Sequence, residues 1–524
     1  MRELLKDKKQ GIYTCILTII LLVYSMGICK NIVFNTEAKN INFYHFILIS
    51  FAFIIFIISF YLVRFVRKLI TGDAFCKKFL KHFLIYLGLM AIFLLLIWPG
   101  YWVWDEMFVI YEIQASSVFT WQSIITQLVF AYSLLLIPSP VGITIIQVII
   151  ISLIVAFLNT KVELKFGKKL FNVIIYVVFL LPAILINNLY VLRLQLYTYF
   201  LLLLSVTLIF DYLEKKQIGK EKLLLLYLLS AILILWRSEG LIFIFAIPVL
   251  MAITYKNLRK VYVIGLMIII NICTYIGYSK IVPSNDKYGM VIFINPLSIM
   301  LQEDLQGENI QEDLEKIDKV FNLELIKENP NYNDIESYWK YNDTLFQEDY
   351  QEYKGEFYKA YADIIINNPI SFINARLKTF LATNGMDSEY REIGNFTDYY
   401  SRENPTNASI ELFLSKFEIM NPINKEVKNE AEMFLLGSGK YANTVIRPIF
   451  WNVVPVMIGI VLIMIISLIK KKYIFTLLSL TLLAKSAVVF LTAPASYFMY
   501  YLPEYICGII LILLYVFINI RKEN

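Results

Sequence analysis

Charged residues are scarce in this chain of 524 residues. Only 17% are Asp, Glu, Lys or Arg, whereas 58% are hydrophobic and the mean hydropathy is +0.63. A single core cannot hide so many apolar side chains, which excludes an ordinary water-soluble domain. The apolar residues are gathered in runs close to the ~20 residues with which a helix crosses a bilayer. Because a helix satisfies its own backbone hydrogen bonds in lipid, the sequence predicts an all-α polytopic membrane protein.

Cysteine and histidine are also rare. The five cysteines, at positions 15, 29, 76, 273 and 507, lie in or beside apolar runs without a CxxC pair. They indicate neither a disulfide framework nor a zinc site. The two histidines, His45 and His82, stand at the edges of expected spans, where anchoring is far more common than metal ligation or catalysis. The chain has no repeat of fixed period and no low-complexity linker.

The hydropathy pattern predicts about twelve transmembrane helices. Their expected bounds are 11–29, 43–63, 83–98, 141–158, 170–186, 196–212, 222–236, 240–255, 261–279, 448–469, 473–491 and 502–520. The basic linkers fall on one side, so the positive-inside rule predicts that both termini are cytoplasmic. The Lys-, Asn- and Ile-rich composition is typical of an AT-rich bacterial genome, so we expect a bacterial cytoplasmic membrane. The first run is expected to be a retained span, because it lacks a small-residue cleavage site.

The apolar stretch 123–137 is expected to lie along the outer interface or to dip into it. Pro138 and Pro140 end it, and a proline cannot continue a helix. A full span at this place would invert every later linker and put the basic ones outside. We therefore expect a short interfacial helix in the first large outer loop.

A polar insert from Lys280 to Ile446 interrupts the hydrophobic runs. It carries 28 Asp and Glu against 16 Lys and Arg, a net charge of −12, so the rest of the chain carries +18. That positive charge belongs to the cytoplasmic face and does not indicate nucleic-acid binding. Nine spans are expected before the insert, and the N-terminus is expected to be cytoplasmic, so we expect the insert to lie outside the cell. Apolar residues at helical spacing predict a mostly helical domain with a break at Asn368–Pro369. The expected domains are 1–279 with an outer loop 99–140, an extracytoplasmic domain 280–446, and a three-span segment 447–524.

Three acidic residues stand in the first outer loop, which reads WPGYWVWDEMFVIYE from Trp98. In a helix, Asp105 and Glu112 share a face two turns apart, and Glu106 is turned about 100° away. Such carboxylates are catalytic candidates, because one could take a proton from a hydroxyl nucleophile or hold a divalent cation. An alternative is that Asp105 caps an interfacial helix that its tryptophans anchor.

The same face of the membrane is expected to hold the candidate substrate-binding residues Arg193, Arg237, Glu239, Lys485 and Tyr497. Charges against or inside a membrane are costly and usually have a partner or a purpose. A guanidinium binds phosphate as a fork and an ammonium binds it as a point charge, so the three cations could receive a phosphate leaving group. Alternatively, they pair with Glu239 and with lipid headgroups.

The chain resembles the GT-C superfamily of integral membrane glycosyltransferases, and within it bacterial multi-span proteins whose first outer loop begins PG-x-x-x-x-D. Here that motif runs from Pro99 to Asp105. WRSEG, from Trp236 to Gly240, is similar to an Arg-x-Glu/Asp-Gly element of these proteins, and DIIINNPISFINARL is similar to their Asn-Pro segment. The chain departs from the pattern at Gln122 and Ser123, which stand where relatives have His-Pro.

The resemblance implies transfer of a sugar from a polyprenyl-phosphate donor to a glycan, lipid or protein acceptor outside the cell. By analogy, Asp105 is the general base or a contact to a divalent cation, and Arg237 and Lys485 contact the donor phosphate. Two other functions remain open at this stage. A secondary transporter would show related halves and interrupted helices near mid-bilayer, and a polysaccharide polymerase or ligase would use outer-loop arginines such as Arg376, Arg391 and Arg402.

Overall fold

The computed structural model describes residues 8–34, 38–102, 104–118, 122–282, 286–328, 330, 342–386, 418–441 and 444–520. Arg391 and Arg402 lie outside these ranges. In chain order the helices are α1 Lys8–Val33, α2 Ile41–Ile70, α3 Ala74–Leu96, α4 Trp104–Gln114, α5 Ile124–Leu136, α6 Pro140–Phe166, α7 Lys169–Phe179, α8 Pro182–Asn188, α9 Arg193–Leu213, α10 Lys220–Trp236, α11 Ser238–Thr254, α12 Val261–Ile281, α13 Asp286–Met300, α14 Ile310–Asp318, α15 Leu323–Glu328, α16 Asn342–Leu345, α17 Tyr350–Asn367, α18 Pro369–Thr383, α19 Lys425–Leu436, α20 Ile446–Ile469, α21 Tyr473–Thr492 and α22 Phe498–Ile520.

Nine helices in the described part of the chain are long and apolar enough to cross a bilayer. They are α1, α2, α3, α6, α9, α12, α20, α21 and α22, and each coincides with an expected span. The all-α, membrane-spanning character predicted from hydropathy is therefore confirmed. Several of these helices are longer than expected. Helix α2, for example, continues to Ile70 and includes Arg67 and Lys68 in its last turn, where cations suit the negative end of the helix dipole.

None of the three other expected spans is a single helix long enough to be counted as a membrane span. The stretch 170–186 is divided into α7 and α8, which meet at 71°, because Leu181 precedes Pro182 and takes an extended conformation. The stretches 222–236 and 240–255 form α10, which has 17 residues, and the short apolar helix α11. The total of twelve spans thus remains a prediction.

The stretch 123–137 forms a short helix, α5, of 13 residues. The Ser123 hydroxyl accepts a hydrogen bond from the Ile125 N–H (3.3 Å) and caps its start. At 1.5 Å per residue the helix is about 20 Å long, less than the ~30 Å hydrocarbon thickness. Its length suits the expected non-spanning helix, and its position at the interface stays a prediction.

Basic segments from different parts of the chain meet at one end of the bundle. Glu163, in the last turn of α6, binds Lys78 (2.7 Å) and His82 (2.7 Å) of α3. Lys161 of α6 lies 3.9 Å from Glu214, which follows α9. We call this the basic end. The expectation that it faces the cytoplasm stays a prediction.

The insert is helical over its described residues, from α13 to α19, and has its own aromatic core around Phe321 and Phe357. The break expected at Asn368–Pro369 is confirmed, because α17 ends at Asn367 and α18 begins at Pro369. The Asn368 side chain accepts from the Gln306 N–H (2.7 Å) and donates to the Gln306 carbonyl (2.8 Å). These bonds fix the angle between the two helices.

Arg376 of α18 fastens the insert to the other end of the bundle, which we call the insert end. Its buried guanidinium donates to the carbonyls of Phe490 (2.7 Å) and Ala493 (2.7 Å) at the end of α21, and to Asn295 Oδ1 (3.0 Å). The last carbonyls of a helix lack helical partners and carry partial negative charge, so a cation satisfies them well. The ring of Phe380 packs on that of Phe490, 6.0 Å between centroids.

A second contact joins the insert to the first large loop. The Trp98 indole N–H donates to the Ile419 carbonyl (2.6 Å), and the Lys428 ammonium of α19 donates to the Gly100 carbonyl (3.3 Å). The PG-x-x-x-x-D loop therefore begins in contact with the insert.

We expect Arg376→Ala to lower the free energy of unfolding by about 3 kcal/mol, because it leaves two helix-end carbonyls without a charged donor. Denaturation in mixed micelles measures the change. The exposed insert variant Lys359→Ala is the control and should shift stability by less than about 0.5 kcal/mol. Equal stability of the two variants would contradict the proposed fastening.

Candidate functional site

Gly100 allows the first large loop to approach the loop between α8 and α9. It has φ of +99°, and a Cβ there would lie 2.8 Å from the Leu189 carbonyl oxygen and 2.9 Å from Thr144 Cγ2. A side chain at this position would therefore clash with its neighbours. The Tyr101 N–H donates to the Leu189 carbonyl (2.9 Å), and the Val191 N–H donates to the Tyr101 carbonyl (3.3 Å). These bonds form a short parallel bridge.

Buried amide side chains hold the loop between α8 and α9. Gln147 of α6 donates to the carbonyls of Asn188 (3.1 Å) and Tyr190 (2.7 Å). Asn188 accepts from the Tyr199 hydroxyl (2.7 Å). Polar groups that are buried and partnered in this way hold a rigid geometry. The loop thus fixes Arg193, the first residue of α9.

The bridge places Asp105 within electrostatic reach of Arg193. Asp105 lies in the first turn of α4, four residues beyond the bridged Tyr101. Burial raises the pKa of Asp105 to about 6, and the positive charge of Arg193 opposes this rise. The acid Asp105, which follows the first large loop, is thus the electrostatic neighbour of the arginine that begins α9.

A cavity of about 530 Å³ lies at the insert end. Arg193, Arg237 and Glu239 line its polar part. Its wall also includes Gln122 and Ser123, the two positions at which the sequence departs from the His-Pro element. The Ser123 hydroxyl lies 2.9 Å from that of Tyr278, another wall residue. Apolar parts of the wall come from the segment just after α12 and from α13 and α21, and contain Val282, Ile292, Val488 and Val489.

From the cavity wall into the bundle, four charged side chains form a continuous buried chain. Arg237 pairs with Glu239, Glu239 lies 3.8 Å from the Lys485 ammonium, and Lys485 lies 3.1 Å from Glu504. Lys485 and Glu504 are each 0% exposed, and Glu239 is 7% exposed. Two cations and two anions alternate, so the chain is electrically balanced within the apolar bundle.

This arrangement changes the expected position of Lys485. Its ammonium lies between two carboxylates rather than on the cavity wall, so a direct phosphate contact would require these ion pairs to open. Sequence reasoning missed Glu504. The available signal was that a lone acid within the apolar run 502–520 needs a partner.

Asp105, Glu106, Glu112 and Tyr497 do not line the cavity wall. Glu106 is buried in the packing around α4, and the Glu112 carboxylate accepts a hydrogen bond from the Ser117 hydroxyl. Tyr497 stands behind Tyr500, with 6.0 Å between ring centroids, and Tyr500 lines the wall. The pKa of Asp105 is influenced by Arg193, an arginine of the cavity wall.

A divalent cation needs several oxygen ligands. In the part of the chain that the structure describes, no group of three or more His, Cys, Asp or Glu is placed to hold a metal ion. The charge beside Asp105 is that of Arg193, and a positive neighbour disfavours a bound cation. Asp105 therefore suits proton acceptance better than metal ligation, and the expected cation stays a prediction.

We expect Lys485→Met to destabilise the protein by about 3–5 kcal/mol, because it leaves the buried Glu504 carboxylate uncompensated. The double variant Lys485→Met/Glu504→Gln should recover most of that loss, since both charges are then absent. Unfolding in mixed micelles measures both variants. If the double variant were as unstable as the sum of its single variants, the buried pair would not exist.

No protein-family model matches this chain, and neither the curated proteins nor the solved structures contain a match. The likeness to GT-C glycosyltransferases therefore depends on the short motifs around Asp105, Arg237 and Asn368.

Proposed function

We propose that the protein is a membrane glycosyltransferase that moves a sugar from a polyprenyl-phosphate donor to a hydroxyl of a glycan, lipid or protein acceptor. The observation that supports this most is the cavity at the insert end, whose wall holds Arg193 and Arg237 and whose neighbour is the carboxyl of Asp105. A volume of about 530 Å³ is in the range of sites that bind small molecules.

The two arginines suit a phosphate group. A guanidinium presents several N–H donors in a plane and matches phosphate oxygens in pairs. Arg193 is also the first residue of α9, where the positive end of the helix dipole favours an anion. Arg237 is oriented by Glu239 and, through it, by Lys485 and Glu504. In this proposal Lys485 positions the arginine and does not itself touch the donor.

Asp105 is the proposed general base. It accepts the proton of the acceptor hydroxyl while that oxygen forms a bond to the anomeric carbon. The bond between the anomeric carbon and the phosphate oxygen breaks, and the leaving polyprenyl phosphate keeps the electron pair. The arginines stabilise the negative charge that develops on this phosphate. A single displacement of this kind inverts the anomeric configuration.

The apolar part of the cavity wall suits the prenyl chain of the donor. Val282 of the segment after α12, Ile292 of α13 and Val488 of α21 line it.

We further propose that the membrane is a bacterial cytoplasmic membrane, with twelve spans, the insert outside and both termini inside. The twelve spans are the nine long helices, the bent pair α7–α8, and the shorter α10 and α11.

A secondary transporter is the second candidate, because the buried chain from Arg237 to Glu504 extends from the cavity into the bundle. Charged groups inside a membrane commonly mark a substrate or ion pathway.

The polymerase alternative is weaker. One of its three candidate arginines, Arg376, uses its guanidinium to bind the end of α21.

The test is incubation of the purified protein with a panel of radiolabelled polyprenyl-phosphate sugars and acceptors. Asp105→Asn should lower kcat by about 10²-fold or more, the usual contribution of a general base, while donor binding persists. Glu315→Gln, an exposed acid of the insert, is the matched control. Undiminished turnover of Asp105→Asn would remove this residue from the mechanism, and sugar flux into vesicles without transfer would favour the transporter.

The pH profile provides an independent test. Asp105 acts as a base only when ionised, so kcat/KM should rise with pH through about 6, the pKa to which burial raises this carboxyl. Arg193→Gln removes the charge that opposes this rise, so the midpoint should move to higher pH. A midpoint that moves to lower pH, or does not move, would contradict the proposed pairing.

A further inference from the structure

Helix α18 of the insert has two different faces. One face is buried and contains Arg376, which binds the end of α21. The opposite face exposes Ile370 (75%), Ile373 (47%) and Leu377 (42%), which recur at intervals of three and four residues. Such spacing places these side chains in a single stripe along the helix. We call these three residues the α18 stripe.

The contacts of α18 fix its depth relative to the spans. Arg376 binds the last carbonyls of α21, and Phe380 packs on Phe490 in the last turn of that helix. In the same turn, Leu491 is 46% exposed on the outer surface of the span. The α18 stripe therefore lies at the level where the apolar surface of a membrane span ends.

Polar residues border the stripe. Asn374 and Lys378 are exposed on α18 beside Ile373 and Leu377. An apolar stripe with a polar, basic border is typical of a helix that lies in the plane of the interface, with its apolar side at the boundary of headgroups and acyl chains. A lysine at this depth can extend its ammonium towards the lipid phosphates.

We propose that α18 is an interfacial helix whose Ile370–Ile373–Leu377 stripe is inserted into the lipid surface at the insert end, with Lys378 at the headgroups. The stripe then attaches the insert to lipid, in addition to the protein contacts that the insert makes through Arg376, Ile419 and Lys428. This proposal requires that the long apolar helices span a bilayer, and it does not depend on the proposed transferase activity.

Labelling with an environment-sensitive fluorophore tests the proposal in reconstituted bilayers. In a background with the two exposed cysteines, Cys15 and Cys273, changed to Ala, bimane is attached to Ile373→Cys. Leu377→Cys is a second position, in case the first variant does not fold. The control is Glu315→Cys on α14, a helix that packs on α17 rather than on a span.

Bilayers that contain dibrominated phosphatidylcholine should quench the label at 373 and at 377 by about half or more, since bromine on the acyl chains quenches groups at the interface. The label at 315 should lose less than about a tenth, since it faces water. Labels at 373 and 377 that are quenched no more than the control would overturn the proposal. Cysteine cross-links between two copies at position 373, without quenching, would also overturn it and would identify the stripe as a contact between copies.

Discussion

A charge that leaves water for an apolar bundle needs an opposite charge beside it, because the loss of hydration is otherwise too costly. This requirement organises the insert end of the protein. Arg237, Glu239, Lys485 and Glu504 come from the start of α11, from α21 and from α22, and they alternate in sign along one buried chain. The three segments cannot separate without exposing an uncompensated charge to lipid or to the apolar core. The cavity wall is thereby held in one geometry.

Backbone pairing supplies the other half of the site. Gly100 permits an approach that any side chain would block, and the bridge of Tyr101 with the segment around Tyr190 brings the first large loop beside the start of α9. Asp105 and Arg193 become neighbours as a result. The insert then covers this region through the bonds of Trp98 and Lys428. A rigid frame of this kind suits a site in which an acid and two arginines must keep fixed positions.

The sequence predicts features that depend on local pattern. Nine spans, and the break at Asn368–Pro369, follow from hydropathy and from the conformational limits of proline. The division of the stretch 170–186 was missed, although Pro182 could have signalled it. The pairing of Lys485 with Glu504 was also missed, because hydropathy places each residue in a span but does not determine which faces of two helices meet. Asp105, Arg193 and Arg237 are candidates from the sequence because charge is rare in this chain, whereas the cavity that the two arginines share depends on contacts between distant segments.

The central claim is that Arg193 and Arg237, from separate parts of the chain, line one cavity at the insert end, and that Asp105 lies close enough to Arg193 to feel its charge. An experimental density map of the protein in a lipid nanodisc tests this most directly. The account predicts that the Asp105 carboxyl lies beside the Arg193 guanidinium and that Arg193 and Arg237 face the same cavity. A map in which Asp105 points into lipid, or lies at the basic end away from both arginines, would contradict it.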